Sequence, residues 1–205
     1  DVGGAGGAAI GASIANASVG GDNKAEINGE LGELLGSAPN TLVQARSDHS
    51  AVADGEAFSG ALLAGTGADV DATVTSSTTS SVGDDADLRV SSISVLADAQ
   101  LEAEAIADGT AIGGAAAGAT LADAQIKNDL GEWSAEAVIG NRARINSSGN
   151  VEFRTDSKTF ATARSTGTAQ GVAAGSGAVA TVDNGARTRA VAMDSAMINA
   201  LTPGS

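Results

Sequence analysis

The chain has no cysteine and no tyrosine, one tryptophan, three phenylalanines, one histidine and two prolines. Each shortage excludes something. Without cysteine there are neither disulfides nor thiolate metal sites, a state equally compatible with the cytosol and with bacterial surface proteins. So few aromatic rings cannot supply the large side chains on which most globular cores depend. With proline only at Pro39 and Pro203 and 42% hydrophobic residues, the composition is not that of a disordered chain. No apolar run approaches the roughly 20 residues that a membrane-spanning helix needs. The sequence opens at Asp1 without Met or a signal peptide, as expected of a mature product or a piece of a longer chain. Basic residues number 11 against 25 acids, for a net charge of −14. That excludes nucleic acid as an expected partner, since phosphate contacts need clustered Lys and Arg.

What is abundant is small. Ala 44, Gly 28, Ser 21 and Thr 16 make up 109 of the 205 residues, which predicts a thin, tightly layered structure. The charge is uneven along the chain: residues 1–109 carry 17 acids and 3 bases, residues 110–205 carry 8 of each.

In a chain this biased, internal repetition is the first thing to test. Leu42-Val43-Gln44-Ala45-Arg46-Ser47, Ser94-Val95-Leu96-Ala97-Asp98-Ala99 and Glu152-Phe153-Arg154-Thr155-Asp156-Ser157 read alike. Each runs through alternating residues to a glycine, at Gly55, Gly109 and Gly167, spaced 54 and 58 apart. A tiny-residue stretch follows each glycine: Gly60–Gly65, Gly114–Gly118 and Gly171–Gly175, with Gly6–Gly11 as a fourth copy. Turn signatures then come at Val19-Gly20-Gly21-Asp22, Val82-Gly83-Asp84-Asp85, Ile139-Gly140-Asn141 and Val182-Asp183-Asn184-Gly185, where Gly beside Asp or Asn suits positive φ.

From Ile93 to Ala107 the odd positions are all apolar, while the even ones include Asp98, Glu102 and Glu104. Period two with a polar face predicts half-buried strands over 43–55, 93–108 and 151–166, odd residues inward. Alanine favours helix, but these acids lie two or four residues apart and not at three-and-four spacing. Strands in fixed order with short turns and no helical connectors predict an all-β fold, a parallel β-solenoid (β-helix). The array spans residues 1–205 as units of about 1–55, 56–109, 110–167 and a partial 168–205. A sandwich or antiparallel barrel would need no such repeat. Whether each unit is one wide coil or several of about 20 residues stays open at this point.

The pattern Ser148-Gly149-Asn150-Val151-Glu152-Phe153-Arg154-Thr155-Asp156-Ser157, then Ala161-Thr162-Ala163 and Ala169-Gln170-Gly171-Val172-Ala173-Ala174-Gly175, resembles repeats in very large bacterial filamentous adhesins, the haemagglutinin-like and leukotoxin-like secreted surface proteins. The resemblance implies a β-solenoid, secretion to the cell surface, and a role in adhesion or fibre building. It fixes no receptor.

Candidate chemistry is sparse, and no catalytic, cofactor-binding or metal residue is assigned. A β-helix that binds or cleaves polysaccharide is the alternative reading, but it wants convergent acids and aromatic platforms. His49 falls on the inner face beside Ser47 and Ala51, with no Ser–His–Asp spacing to make it a base. Asp84, Asp85 and Asp87, with Asp69 and Asp71 upstream, offer oxygen ligands for Ca²⁺ but match no calcium loop. Gly4-Ala5-Gly6-Gly7 lacks the Lys-Ser/Thr of a phosphate loop. Thr73, Thr75, Thr78 and Thr79 suggest an ice-binding ladder, which Gln125-Ile126-Lys127 in the next copy would interrupt. Two stretches unmatched elsewhere, Gly29–Leu35 and Lys127–Trp133, are expected to cover a face or contact a partner. Asn16 and Asn146 head glycosylation sequons. The expected partner is self, head to tail along the axis, or the continuation of a longer chain, with a host or matrix receptor besides. The grounds are that Leu201-Thr202-Pro203 fall in mid-repeat and that no amphipathic cap precedes Val2.

Overall fold

The computed structural model describes residues 2–32, 38–128 and 133–200, with side chains from Gly7 onward. Among them there is no helix. The strands are β1 (Val2–Ile27), β2 (Glu30–Leu31), β3 (Asn40–Val82), β4 (Asp87–Val90), β5 (Ser92–Lys127), β6 (Ala135–Ile139), β7 (Arg144–Ser147), β8 (Val151–Gln170), β9 (Ala173–Asn184), β10 (Thr188–Ala192) and β11 (Met197–Ala200). Every pairing is parallel. The fold is an all-β parallel solenoid, as the alternation predicts.

The register decides the size of the coil. Asn40 to Thr75 pairs with Ser92 to Lys127, 52 residues on, and Ile93 to Ile112 with Val151 to Gln170, 58 on. Each repeat is therefore one wide coil. β1 and β2 belong to the first coil, β3 and β4 to the second, β5 to β7 to the third, and β8 to β11 to the fourth.

Within the second coil, an outgoing limb (43–59) packs against a return limb (66–82). The two are close enough that Ser47 Oγ and Thr78 Oγ1 hydrogen-bond directly at 2.6 Å, and the Ala45 N–H donates to Ser80 Oγ at 2.7 Å. Such an approach favours small side chains between the limbs, and alanine predominates there. Ala51, Ala53, Ala57, Ala68 and Ala72 are buried in one cluster with Val70, Val74 and Leu101. Toward the base the side chains enlarge: Val43, Val82, Leu88, Val90, Ile93, Val95, Ile139 and Ile145 form a second cluster. At the opposite apex the buried apolar cluster is only Ala64, Ala111 and Ala116 among the described residues. The cross-section thus tapers from a wide base to a narrow apex, following side-chain volume.

The inward face changes parity at the apex. Odd residues through Ser59 point in, then even ones from Ala64 onward, and Leu62 and Leu63 between them are both exposed. Coils approach closely there: a Cβ on Gly113 would lie 2.2 Å from the Ala61 carbonyl oxygen, and one on Gly171 would meet Gly113 in the same way.

Two sequence expectations need correction. Val19–Asp22 and Val182–Gly185 are not turns; they lie on the return limb, with Val19 paired to Val74 and Val182 to Ala124. The other two expected turns are real: the turn after the return limb is at Gly83–Ala86 and Gly140–Ala143, and in the fourth coil at Met193–Ala196, with Asp85, Arg142 and Ser195 at φ of 58°, 56° and 62°. Nor is Gly55 level with Gly109: it pairs with Ala107, and Gly109 with Ala57. Each of these glycines faces a β-branched residue, since a Cβ would lie 2.6 Å from Val70 Cγ2 or 2.7 Å from Thr120 Cγ2.

The two unmatched stretches are where the register jumps by five residues. The spacing falls from 57 to 52 between β2 and β3's first residue, and rises from 52 to 57 between Lys127 and Glu136. They occupy different corners of the coil. Residues 33–37 and 129–132 lie outside the described residues, as do 201–205 with the expected mid-repeat ending.

Candidate functional site

Because stacked residues are in register, the outer faces are columns running along the axis. On the outgoing limb one column reads Arg46, Asp98, Asp156 and another Ser50, Glu102, Phe160; Val52, Glu104 and Thr162 follow. The acids that the alternation placed outside are outside, spread along rows and not drawn into one cleft. Where they meet donors, the bonds are between coils: Gln44 Nε2 donates to Asp98 at 3.0 Å and Ser50 Oγ to Glu102 at 3.5 Å.

The acids that offered oxygen ligands for Ca²⁺ separate. Asp85 takes two hydrogen bonds from Arg142, each 2.7 Å, one coil up; these bonds hold its carboxyl below the usual range. Asp84 Oδ1 accepts from the Asn141 N–H at 2.6 Å. Asp69 and Asp71 are on the return limb more than ten residues away, roughly 40 Å along an extended strand. Among the described residues no three Asp, Glu or His side chains gather as metal ligands. Thr73 stacks on Gln125 and Thr75 on Lys127, so the threonine ladder ends after one coil; Thr78 is buried. Gly4–Gly7 is part of the extended strand β1. Asn146 faces outward in an amide ladder, accepting from Asn199 Nδ2 at 3.0 Å.

His49 points inward, as its place between Ser47 and Ala51 requires. Its imidazole lies over Gly21, where a Cβ would stand 3.6 Å from Cε1. Its Nδ1 is buried without a hydrogen-bond partner, as is the Ser76 hydroxyl, which pairs in register with Gly21. Among the described residues no carboxylate is hydrogen-bonded to the ring.

Trp133 is partly buried, with the Arg189 guanidinium 4.8 Å above its ring centroid. Arg189 is also ion-paired with Glu136, its neighbour in register. Both line a groove of about 520 Å³ in which Lys24, Glu26, Thr79 and Asp84 alternate with Val82, Val138 and Met193. Lys24 hydrogen-bonds Glu26 at 2.7 Å and keeps its carboxyl below the usual range. This groove was not legible in the sequence, because its members come from four coils; only the register assembles Lys24, Thr79, Glu136 and Arg189 into one column.

The register also localises the charge. Residues 1–37, 38–91 and 92–150 carry 5, 8 and 8 acids against 1, 2 and 3 bases, whereas 151–205 carry 4 acids and 5 bases. The balance is −4, −6, −5 and then +1 from coil to coil. Comparison of the chain with models of known families, with curated proteins and with solved structures finds no match in any of the three.

Proposed function

We propose that this chain is a structural and adhesive protein of a bacterial surface or extracellular fibre, acting through shape, length and repetitive outer faces, and assembling along the solenoid axis. The observation that carries this reading is the in-register stacking of three wide coils on a first that is described from Val2 at the apex, which turns scattered side chains into columns and leaves the acids in solvated rows. Among the described residues, one edge of β1 and the opposite edges of β8 to β11 carry unpaired backbone groups, and such edges template further strands. Further coils of a longer chain satisfy them; a second copy satisfies those of β9 to β11 and the end of β8, because its β1 begins at Val2, level with Gly167. If a second copy continues the stack, Ala173–Asn184 sets on Ala8–Val19, Arg187 meets Asp22, and Ile198 meets Leu31. The +1 coil then faces the −4 coil, which favours head-to-tail over head-to-head contact. A contact of this kind does not close and gives filaments. Sedimentation and electron microscopy at rising concentration test it. Rods lengthening in steps of one molecule, and shortened by Arg187→Glu, are expected; a monomer at every concentration rejects axial self-assembly.

The groove beside Arg189 and Trp133 favours a second reading, a module that binds acidic or neutral polysaccharide. Titration with oligosaccharides would change Trp133 fluorescence if that groove is occupied, and leave it constant if not.

A further inference from the structure

The outer face of the return limb next to the apex has a character that the fold does not require. Its first three columns are Ile10, Gly65, Ala117, Gly175; then Ala12, Gly67, Ala119, Gly177; then Ile14, Asp69, Leu121, Val179. Ile10 is 84% exposed, Ile14 74%, Val179 57% and Leu121 50%. Glycine in a strand interior weakens it, and is kept where a turn, tight packing or a closely approaching partner needs it. Here neither turn nor packing does. A Cβ on Gly175 or Gly177 would meet nothing within 4 Å, one on Gly67 only the Ala119 oxygen at 3.8 Å, and none of these glycines has positive φ. The flatness belongs to the surface and not to the coil.

The next column is acidic: Asn16, Asp71, Asp123, Thr181. Desolvation, then the neighbouring Asp69 and Asp123 charges, push the Asp71 carboxyl up, with Lys127 the opposing charge. Among the described residues, Asp123 Oδ1 and Gln125 Oε1 have no hydrogen-bond donor. The donors these two acids do have, the Asn16 amide to Asp71 at 3.0 Å and the Gln125 amide to Asp123, are uncharged and leave the negative charge of the column in place.

We propose that this face docks a cationic amphipathic segment of a partner protein, its apolar side on the glycine-alanine sheet and its Lys or Arg along Asp69, Asp71 and Asp123. A second copy of the chain is the poorer occupant. Four coils at about 4.8 Å and three columns at about 6.7 Å give roughly 400 Å², about half of what one side of a stable complex buries. Two chains of −14 also repel, whereas a basic partner adds attraction to the contact. The inference stands apart from axial assembly, since it uses a lateral face.

The test uses a fluorescein-labelled 14-residue Leu/Lys amphipathic helix peptide and a scrambled peptide of the same composition, read by anisotropy at low and moderate salt. Gly67→Thr with Gly177→Thr adds side chains where space is open, so the fold is kept or strengthened by circular dichroism melting while peptide binding falls about tenfold. Ile14→Ser with Leu121→Ser weakens binding similarly, and Asp71→Asn with Asp123→Asn weakens it and flattens the salt dependence. The proposal is overturned if the glycine double variant binds as tightly as the parent, if the scrambled peptide binds equally well, or if the face drives self-association instead.

Discussion

The facing of Gly55 and Val70 across the coil gives a demanding perturbation. A Cβ on Gly55 would sit 2.6 Å from Val70 Cγ2, 3.3 Å from Ser13 Oγ and 3.6 Å from Ala15 Cβ, and Val70 is fully buried. Gly55 does not have positive φ, so valine meets no backbone obstacle there. Gly55→Val alone overpacks the layer and costs about 1–3 kcal/mol. Val70→Gly alone removes three carbons and leaves a cavity, costing about 2–4 kcal/mol. The pair together conserves volume, because the side chain is only moved to the other wall. If the two limbs face as described, the double variant loses less than about 1.5 kcal/mol, and the coupling between the sites exceeds about 1.5 kcal/mol. Urea unfolding followed by circular dichroism at the strand minimum measures all four proteins. A double variant as unstable as the sum of the singles would refute the facing.

Other expectations follow from the same contacts. Ser47→Ala strands the buried Thr78 hydroxyl and costs about 1–3 kcal/mol, while Ser47→Ala with Thr78→Val restores most of it; chemical denaturation distinguishes the two. Asp71 has its folded pKa raised, so its contribution to stability is present below the unfolded carboxylate value and lost as pH rises through the folded one. Asp71→Asn should therefore stabilise the chain at neutral pH and remove part of the gain on mild acidification, measured as melting temperature against pH. Arg189→Ala should shift the emission of the only tryptophan, Trp133, and cost about 0.5–1 kcal/mol; an unchanged spectrum would mean that the stacking is absent.

Much of the fold was legible in the sequence because one rule dominates it: in a half-buried strand the side chains alternate, and from Ile93 to Ala107 nothing breaks the alternation. His49 inside and Thr73 opposite Gln125 follow from counting along such strands. The turns were half legible. Gly83 and Gly140 mark real ones, but Ser195 and Arg142 take positive φ without being residues that advertise it. Glycine misled at Gly20-Gly21, where Gly21 leaves room for the His49 ring. The surfaces were least legible, because Lys24, Glu136 and Arg189 are more than 50 residues apart from one another and meet only through a register that shifts by five at each insertion. Their chemistry depends on the stack and not on any local motif.

The central claim is that successive wide coils stack in parallel with a fixed register, and cysteine pairs test it most directly, since the chain has no cysteine of its own. Ser50 and Glu102 are level on the outer face of adjacent coils, their side chains 3.5 Å apart. Adjacent strands lie about 4.8 Å apart, within the Cα range of a disulfide. Ser50→Cys with Glu102→Cys should oxidise readily to an intramolecular disulfide, while Ser50→Cys with Ile106→Cys, four residues further along the strand and roughly 13 Å out of reach, should not. Preferential closure of the Ser50–Ile106 pair, or of neither, would contradict the register and with it the columns on which every functional proposal rests.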